Sequence, residues 1–565
     1  MEAEKRTGRR VNLRALVIGG YGTFGGRLCD LLADEPRLTL IVAGRSLAKA
    51  EAFAAKPSRA KRIAVQFDRT GDVAEQIRVL RPDIVVDASG PFQAYGEYRY
   101  AVVDGALAAG ADYIDLADAA DFVTGICTRD DRARTAGCFA LSGASSFPVL
   151  TSAAVRALAA DLDAVETITA GIAPSPYAGV GINVIRAIAS YAGKPVPITR
   201  DGKPASGVGL VDSRVRTINV PGSAPLNRIR FSLVDVPDLT TLATAWPGVR
   251  EVWVGAGPTP AILHRALSAL AMLVHWQVLP SLLPLAGLMD RVVNRVRWGE
   301  HRGGMFVEVE GRQDGRRVTR TWHMIAEGEA GPLIPSMAAE MLIRRCLDGV
   351  RPESGARPAD RSLELADYEK AFAPRGIVSA AVSSDAAGVL YQELLGPAFG
   401  RLPKTLQAAH LVFGRLDLAG VAEARRGRGG LASLVAALFR FPAEGSDVPV
   451  SVTMMRMDGH EEWTRDFGGS CFASTQELGT GRYEGLLVER FGPIAFAMAV
   501  MVEGGRLTLV QRKWSIFGVP MPRMLLPTGT AYEEEADGRF TFNVDISLPL
   551  VGTIVGYRGW LLPKR

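Results

Sequence analysis

The chain has 565 residues, of which 48% are hydrophobic and 22% charged. This balance excludes an intrinsically disordered protein, and the length suggests about four domains. The net charge of +5 is small for so long a chain, so composition gives no reason to expect a nucleic-acid partner. The 61 glycines are about 11% of the 565 residues, above the average of about 7%.

The cysteines and the basic first residues of the chain give information on the cellular compartment. The five cysteines are far apart and form no C-x-x-C pair, which argues against structural zinc and a disulfide framework. We therefore predict a reducing, cytoplasmic environment. Residues 1–10 are basic, but Arg14 interrupts the apolar run that follows, so we interpret them as a tail before the first strand and not as a signal peptide.

Short apolar runs alternate with helix-forming stretches through residues 1–145. This alternation predicts βαβ units and a parallel sheet, the α/β class. The predicted strands are Leu13–Ile18, Leu38–Ala43, Ile63–Phe67, Ile84–Ala88 and Tyr113–Leu116. The predicted helices are Arg27–Ala33, Leu47–Ala55, Val73–Leu80 and Tyr100–Ala109.

A second domain of α+β type is predicted over residues 146–377, where helical stretches mix with longer strands. A hairpin is expected at Met305–Glu310 and Arg316–Ala326, with Gln313-Asp314-Gly315 as its turn. A returning helix is expected at Met337–Leu347. The stretches 351–361 and 383–388 are candidate boundaries, because they are rich in turn-forming residues.

One segment of the second domain, Ala266–Met289, runs about 24 residues without a formal charge. Its length alone would permit a membrane span, but Pro280, Pro284 and Gln277 argue against one. The segment is predicted to be helical. Two alternatives stay open: a helical hairpin at a membrane or lipid surface, or helices of the core or of a dimer interface.

A third, β-rich domain is predicted over residues 389–563. After a helix at Tyr391–Phe399, strands are expected at Val448–Met457, Tyr483–Val488, Ala495–Val502, Arg506–Trp514 and Phe540–Leu548. Such a sheet, which carries Trp514, Phe517 and Trp560, would either pack a core or enclose an apolar ligand. The polar cluster His460, Glu461, Glu462, Trp463 and Asp466 has no second histidine at ligand spacing, so we interpret it as a polar loop and predict no metal.

The most informative motif follows the first predicted strand. Gly19, Gly22 and Gly25 have the spacing G-x-x-G-x-x-G, a variant of the dinucleotide-binding fingerprint. Glycines allow a tight turn from strand to helix and a close approach of backbone N–H groups to a pyrophosphate. We therefore predict that these glycines, with Thr23 and Phe24 between them, bind a dinucleotide cofactor.

The end of the second predicted strand bears on the choice of cofactor. An NAD-preferring site usually has an Asp or Glu there, which accepts a hydrogen bond from the ribose hydroxyl. This chain instead has Arg45 and Ser46, and an arginine can pair with a 2′-phosphate. NADP(H) is therefore expected in preference to NAD(H). Asp68, after the third strand, is expected either to touch the adenine or to cap the next helix.

The fourth predicted strand is followed by Ser89, Gly90 and Pro91. In an open α/β sheet, ligands lie beyond the carboxyl ends of the strands, so these residues should border the nicotinamide ribose. Candidates for proton transfer are weak. Tyr95 and Asp115 are the ones we name, and Asp87 is expected to be structural.

Several segments resemble the saccharopine dehydrogenase-like oxidoreductases: Gly19–Gly26, Ala43–Arg45, Ala88–Phe92, Tyr113–Leu116, Ser142–Ser146 and Gly331–Pro335. The resemblance covers residues 13–377. It implies a Rossmann domain with a doubly wound sheet, an inserted α+β domain that forms the substrate site and often a dimer interface, and NADP(H). The tail, 389–563, resembles a bacterial domain of unknown function that is fused to such reductases.

A saccharopine enzyme must bind an amino-diacid through fixed charges, whereas the second domain here carries the apolar run Ala266–Met289. We therefore predict an NADP(H)-dependent oxidoreductase that acts by hydride transfer on an apolar or lipid-like small molecule. The alternative is a non-catalytic NADP(H)-sensing or lipid-binding protein that retains the fold. A third interpretation is a reductase held at a membrane through residues 266–289.

Overall fold

The computed structural model describes residues 12–295, 297–383, 389–457, 459–549 and 551–564. The chain forms two compact units. One contains the described residues up to 215 together with 230–381, and the other contains 216–229 together with the described residues from 382 onward. Of the predicted boundary at 383–388, residues 384–388 lie outside the described residues, and the division into three domains stays a prediction.

The first sheet is built from short buried strands that alternate with helices. Its first six strands are β1 (Leu13–Ile18), β2 (Leu38–Gly44), β3 (Lys61–Gln66), β4 (Ile84–Asp87), β5 (Asp112–Asp115) and β6 (Phe139–Ser142). The helices are α1 (Thr23–Leu31), α2 (Leu47–Ala54), α3 (Val73–Leu80), α4 (Ala101–Ala108), α5 (Ala120–Gly125), α6 (Asp130–Thr135) and α7 (Thr151–Leu158). The predicted start of α1 at Arg27 is wrong by four residues, because the helix begins inside the glycine motif.

The next strands and helices follow in chain order. The strands are β7 (Ala164–Ala173), β8 (Pro195–Arg200), β9 (Lys203–Val208), β10 (Ser213–Ile218), β11 (Leu226–Leu233), β12 (Glu251–Ala256), β13 (Gly303–Gln313), β14 (Arg316–Ala326), β15 (Gly355–Pro358) and β16 (Val378–Ser383). The helices are α8 (Ile182–Tyr191), α9 (Asp238–Ala245), α10 (Ala261–His275), α11 (Ala286–Arg295), α12 (Ile334–Leu347) and α13 (Leu365–Phe372). Of these strands, β15 belongs to the first sheet and the others to the second. The second sheet has the order β10-β11-β12-β7-β13-β14-β16, with the β8–β9 hairpin on β12.

The first sheet is parallel and has the order β15-β6-β5-β4-β1-β2-β3. Apart from β15, this is the strand order of a dinucleotide-binding fold, with the topological switch point between β1 and β4. The predicted α/β class with a Rossmann sheet is confirmed. The predicted hairpin is also present, and its turn residues Asp314 and Gly315 have φ of 50° and 73°.

The stretch 351–361, predicted as a boundary, instead supplies the edge strand β15. The N–H of Ala356 donates to Asp130 Oδ1 at 2.8 Å, and the Arg351 guanidinium pairs with the buried carboxylate of Asp112. These two contacts attach the strand to β6 and its neighbours. The prediction failed because the strand is short and its partners Asp112 and Asp130 lie more than 200 positions away in the sequence.

The apolar segment 266–289 is helical only in part. Helix α10 ends at His275, and α11 begins at Ala286. Between them Gln277 has a φ of 61°, and Pro280 and Pro284 interrupt a continuous helix. Within the described ranges, none of the helices is both long and apolar enough to cross a membrane.

The second unit is dominated by antiparallel strands: β17 (Arg415–Arg426), β18 (Gly445–Met457), β19 (His460–Phe467), β20 (Ser470–Leu478), β21 (Leu487–Phe491), β22 (Ile494–Glu503), β23 (Arg506–Ile516), β24 (Val519–Pro520), β25 (Ala531–Ala536), β26 (Arg539–Leu548) and β27 (Gly552–Pro563). Its helices are α14 (Leu390–Leu395), α15 (Lys404–His410) and α16 (Gly430–Leu438). The order β22-β21-β20-β19-β18-β17-β27-β26-β25-β23 returns to β22, so ten strands close into a barrel.

Two predictions for this unit are wrong. The polar cluster at 460–466 is not a loop but strand β19, in which Glu461 and Trp463 point inward at alternate positions and the Trp463 indole donates to Glu461 Oε2 at 3.1 Å. The strand predicted at 483–488 is displaced to β21. Residues 481–483 form a 3-10 turn, and Gly485 has a φ of 76° that interrupts an extended strand.

The pairing of Arg351 with Asp112 gives a test of how β15 is held. Replacing Arg351 by Met leaves the buried Asp112 carboxylate without its cationic partner, so we expect the free energy of unfolding to fall by about 2 kcal/mol. Urea unfolding followed by circular dichroism measures the change. The matched variant Arg361→Met removes an exposed arginine of the same segment and should change stability by less than about 0.5 kcal/mol. Equal effects of the two variants would contradict the proposed role.

Candidate dinucleotide site

The turn after β1 passes very close to the end of β4. Gly19 has a φ of +80°, and a Cβ atom on it would lie 2.8 Å from the carbonyl oxygen of Ala88. Both the left-handed backbone and this close approach require glycine. The first glycine of the motif therefore allows the two central strands to end side by side at the switch point.

The other two glycines of the motif let α1 pack onto this turn. A Cβ atom on Gly25 would lie 2.3 Å from the Gly19 carbonyl oxygen, and one on Gly22 would lie 3.0 Å from the same atom. Gly22 is the N-cap residue of α1 and supplies no side-chain cap. The first turn of the helix, which begins with Thr23 and Phe24, therefore presents backbone N–H groups where an anionic group can accept from them.

The Gly25 contact gives a direct test of the motif. In a Gly25→Val variant, the side chain would overlap the Gly19 carbonyl group, so α1 must move away from β1 and the turn must change shape. We expect nicotinamide dinucleotide binding, measured by fluorescence titration, to weaken at least about tenfold. The control Gly248→Val changes an exposed glycine whose Cβ position has no atom within 4 Å. The prediction is contradicted if the Gly25 variant binds like the wild type.

The end of β2 carries Arg45 and Ser46 in front of helix α2. Arg45 is exposed, and the Ser46 hydroxyl caps α2 by accepting from the N–H of Lys49 at 3.4 Å. Tyr21 lies across this point: its hydroxyl accepts from the Ser46 N–H at 2.9 Å, and its ring fills the space beside Gly44. Tyr21 thus ties the glycine turn to the end of β2, a role that the sequence analysis missed.

Asp68 accepts hydrogen bonds within its own loop. Its Oδ1 accepts from the N–H and the hydroxyl of Thr70 at 2.9 and 2.8 Å, and these bonds lower the pKa of Asp68. Helix α3 is capped instead by Asp72, which accepts from the Glu75 N–H at 3.0 Å. The expectation that Asp68 caps this helix is wrong, and its contact with an adenine stays a prediction.

The end of β4 is organised around the fully buried carboxylate of Asp87. Its Oδ1 accepts from the Ser89 N–H at 3.0 Å and from the Ser89 hydroxyl at 2.5 Å. The Ser89 hydroxyl also lies 2.9 Å from the hydroxyl of Tyr95. Asp87 therefore has the structural role that the sequence predicts, and it fixes the backbone that leads into Gly90 and Pro91.

Tyr95 is held on two sides. The guanidinium carbon of Arg69 lies 3.2 Å from the centre of the Tyr95 ring. The ring of Phe92 also packs against Tyr95, with 4.8 Å between the two ring centres. Burial, with the charge of Asp87 second, raises the pKa of the Tyr95 hydroxyl. Tyr95 is therefore a neutral hydrogen-bond donor beside Ser89. Arg69 was missed because nothing in its local sequence marks it.

Asp115, the other candidate for proton transfer, is fully buried at the end of β5. Its Oδ1 accepts from the N–H of Gly143 at 2.7 Å, from the N–H of Ala117 at 3.0 Å and from the Ser142 hydroxyl at 3.0 Å. Burial raises its pKa to about 7. These bonds make Asp115 the residue that joins the ends of β5 and β6.

The raised pKa of Asp115 predicts a pH dependence of stability. Because the folded chain holds this proton up to about pH 7 while the ordinary value is 3.8, Asp115 contributes stability at low pH that is lost as the pH rises from about 4 to 7. In the described part of the chain Oδ2 has no donor, so an Asn at this position can keep the bonds to Oδ1. We expect Asp115→Asn to flatten this part of the profile in urea unfolding at a series of pH values. Parallel profiles for the two proteins would contradict the assignment.

The loop between β7 and α8 lies against the glycine turn. The Asn183 amide donates to the carbonyl oxygens of Ser89 and Gly90 at 3.3 and 3.0 Å. Arg27 of α1 donates to the Ala178 carbonyl oxygen at 2.8 Å, and a Cβ on Gly181 would lie 2.7 Å from the Thr23 hydroxyl. Asn183 thus fixes the β4 end from a helix some 90 residues away in the sequence, and periodicity alone gives no signal for this contact.

Three other polar side chains take no part in the hydrogen bonds described above. Asp118 accepts from the Gln93 amide at 3.2 Å, and burial raises its pKa. Tyr177 stacks on His301 at 3.5 Å and donates to the Arg297 carbonyl oxygen. His323 lies in β14, and burial lowers its pKa to about 4, so it is neutral at pH 7.

Two family models match parts of the sequence. Residues 15–141 match the saccharopine dehydrogenase NADP binding domain. The predicted family resemblance is confirmed. With it the predicted class, the NAD(P)-dependent oxidoreductases, is confirmed as well. Residues 402–561, which cover most of the barrel, match a domain of unknown function, DUF4166. None of the curated proteins compared with this sequence matches it.

Solved structures with some likeness include dehydrogenases and a reductase. GenD2 from gentamicin A biosynthesis, in complex with NAD, is 13% identical, with 66% of this chain and 97% of that chain covered and a TM-score of 0.32. The DAP dehydrogenase of C. glutamicum in complex with DAP is 14% identical, with 64% and 99% covered and a TM-score of 0.32. Biliverdin reductase from Synechocystis sp. PCC 6803, with biliverdin and NADP+, is 12% identical, with 61% and 93% covered and a TM-score of 0.28. Scores this low support no conclusion about the activity of this chain.

Proposed function

We propose that the protein is an NADP(H)-dependent oxidoreductase that transfers a hydride to or from an apolar or lipid-like small molecule. The observation that carries this proposal is the three-glycine turn at the switch point, where side chains larger than hydrogen would fill the space between α1, β1 and β4. The match to a saccharopine dehydrogenase NADP binding domain supports the same cofactor.

The residues of the turn define how the cofactor would be held. Backbone N–H groups at the start of α1 would bind the pyrophosphate, because Gly22 leaves this helix end without a side-chain cap. At the end of β2, Arg45 and Ser46 would bind a 2′-phosphate. The segment Gly44-Arg45-Ser46 has no carboxylate that could accept a hydrogen bond from a ribose hydroxyl instead. Ser89, Gly90 and Pro91 would border the nicotinamide ribose.

When bound, the nicotinamide supplies or accepts the hydride. The chain contributes position and hydrogen bonding. Asn183 and Asp87 fix the Ser89–Gly90 backbone, and the neutral Tyr95 hydroxyl, 2.9 Å from the Ser89 hydroxyl, is the proton donor that we favour. Asp115 has three internal donors, so we assign it a positioning role at the strand ends.

The substrate and any further partner are proposals that rest on the apolar segment 266–289. In this segment Trp276, Val278, Leu283 and Leu288 are exposed. Exposed apolar side chains of this kind support an apolar substrate, contact with a membrane or lipid surface, or a homodimer interface.

A non-catalytic NADP(H)-sensing protein is the second candidate. The observation that favours it is that Tyr95 and Asp115 both take part in internal hydrogen bonds. Oxidation of NADPH in the presence of an apolar aldehyde, ketone or enoyl compound would exclude the sensor. Tight NADPH binding without turnover across such a panel would favour it.

The cofactor preference is tested at Arg45. Wild-type protein should bind NADPH at least about tenfold more tightly than NADH, because a charged hydrogen-bonded pair contributes about 1.5–3 kcal/mol. Arg45→Asp should reverse the preference, since a carboxylate repels the 2′-phosphate and accepts from a ribose hydroxyl. Isothermal titration of both cofactors measures the effect.

The matched control is Arg59→Asp. It makes the same change of charge at an exposed arginine that precedes β3, at the end of the parallel sheet where the strands begin, whereas Arg45 lies where they end. The preference should be unchanged in this variant. Equal binding of NADPH and NADH by the wild type, or an unchanged preference in Arg45→Asp, would refute the role of Arg45.

A further inference from the structure

The barrel of the second unit has one end closed by helices. Tyr391 of α14 donates from its hydroxyl to Gln476 Oε1 at 3.0 Å, and its ring lies 4.0 Å from that of His410 of α15. His410 in turn pairs with Glu533 of β25 at 2.6 Å. These residues are buried, so the two helices form a packed floor across one end of the strands.

Above this floor the barrel encloses a cavity of about 420 Å³. This volume is within the range of about 300–1,000 Å³ that holds small-molecule ligands. Most of the wall is aromatic or aliphatic, with contributions from Trp463, Phe496, Trp514, Phe540 and Phe542 among others. A barrel of this size whose inner side chains leave such a space can hold one small molecule.

Arg465 and Glu489, two charged residues of the wall, are paired with each other. Arg465 donates to Glu489 Oε1 at 3.0 Å, and the Gln476 amide donates to the same oxygen at 3.2 Å. Ser474 donates to it as well, at 2.7 Å. An anionic ligand would therefore meet an arginine that is already neutralised, with the carboxylates of Glu489, Glu533 and Asp545 in the same wall. The cavity selects against carboxylates.

One polar atom of the wall has no internal partner. Gln511 of β23 lines the cavity, and its Oε1 atom is buried; within the described residues no donor reaches it. A buried acceptor of this kind costs about 1–3 kcal/mol unless a donor meets it. A ligand with a hydroxyl or amide N–H group would supply that donor.

The other end of the barrel is the mouth. Strand register places the ends of β17, β23 and β26 together at this end, with α16 following β17. Helix α16 contributes Val435 and Leu438 to the cavity wall, and its Leu431 and Leu434 are 59% and 64% exposed. Phe517, which follows β23, is 82% exposed. The mouth is thus surrounded by apolar side chains that an apolar ligand can pass.

We propose that the barrel binds an uncharged, apolar molecule that carries a hydroxyl or amide N–H donor, with this donor on Gln511 Oε1 and the apolar body between the aromatic side chains. This site lies wholly in the second unit, and the proposal does not rest on the proposed oxidoreductase activity.

Three probes of equal chain length test the ligand class on the full chain: dodecanol, dodecanoate and dodecane, each used to displace Nile red. Dodecanol should displace the dye at a concentration about fivefold below that of dodecane, because it adds one hydrogen bond to a buried acceptor. Dodecanoate should be the weakest of the three, since its charge must be buried beside Glu489 and Glu533.

Two variants locate the site. Gln511→Leu should bring dodecanol and dodecane within about twofold of each other, and circular dichroism should show an unchanged fold. Ala531→Trp fills the cavity and should weaken displacement by all three probes at least about tenfold. Its matched control, Ala536→Trp, places the same side chain at an exposed position of the same strand and should behave as the wild type.

The proposal is overturned if Nile red does not bind or none of the probes displaces it, or if dodecanoate binds best. It is also overturned if Ala531→Trp binds the probes like the wild type. An unchanged ratio of dodecanol to dodecane in Gln511→Leu would overturn the assignment of the donor to Gln511.

Discussion

The close packing of helix α1 on the turn after β1 is the constraint on which the candidate dinucleotide site depends. Gly25 approaches the Gly19 carbonyl group so closely that a Cβ atom would lie 2.3 Å from its oxygen. This contact brings the start of α1 to the ends of β1 and β4. The helix end then combines exposed N–H groups with the positive end of the helix dipole, and this combination is what a pyrophosphate needs.

Around this turn, buried polar side chains fix the strand ends that border the cleft. Asp87 and Asp115 end neighbouring parallel strands, and each accepts hydrogen bonds from the loop that follows or from the next strand. Asn183 adds a contact from the second sheet region of the same unit. The buried carboxyl groups of Asp87 and Asp115 each have several hydrogen-bond donors, and these bonds support a structural role for both residues at the strand ends.

Much of this could be predicted from the sequence. The strands β1, β2 and β4 are short, largely apolar runs bounded by turns, and the glycine spacing marks the turn of the candidate dinucleotide site. The pairing of strand β15 and the contacts of Asn183 could not be predicted, because their partners are far away in the sequence. The local sequence pattern does not indicate such contacts. Strand β19 was misread because its inward positions include Glu461, a buried acid that lies near Arg456 of the neighbouring strand β18. The barrel cavity depends on closure between β22 and β23, which periodicity alone does not reveal.

A crystal structure of the protein with NADP+ would test the central claim most directly. The account predicts the pyrophosphate on the N–H groups at the start of α1 between Gly22 and Gly25, the 2′-phosphate beside Arg45 and Ser46, and the nicotinamide ribose along Ser89–Pro91. Density for the dinucleotide at any other place in the chain, with the glycine turn empty, would contradict it.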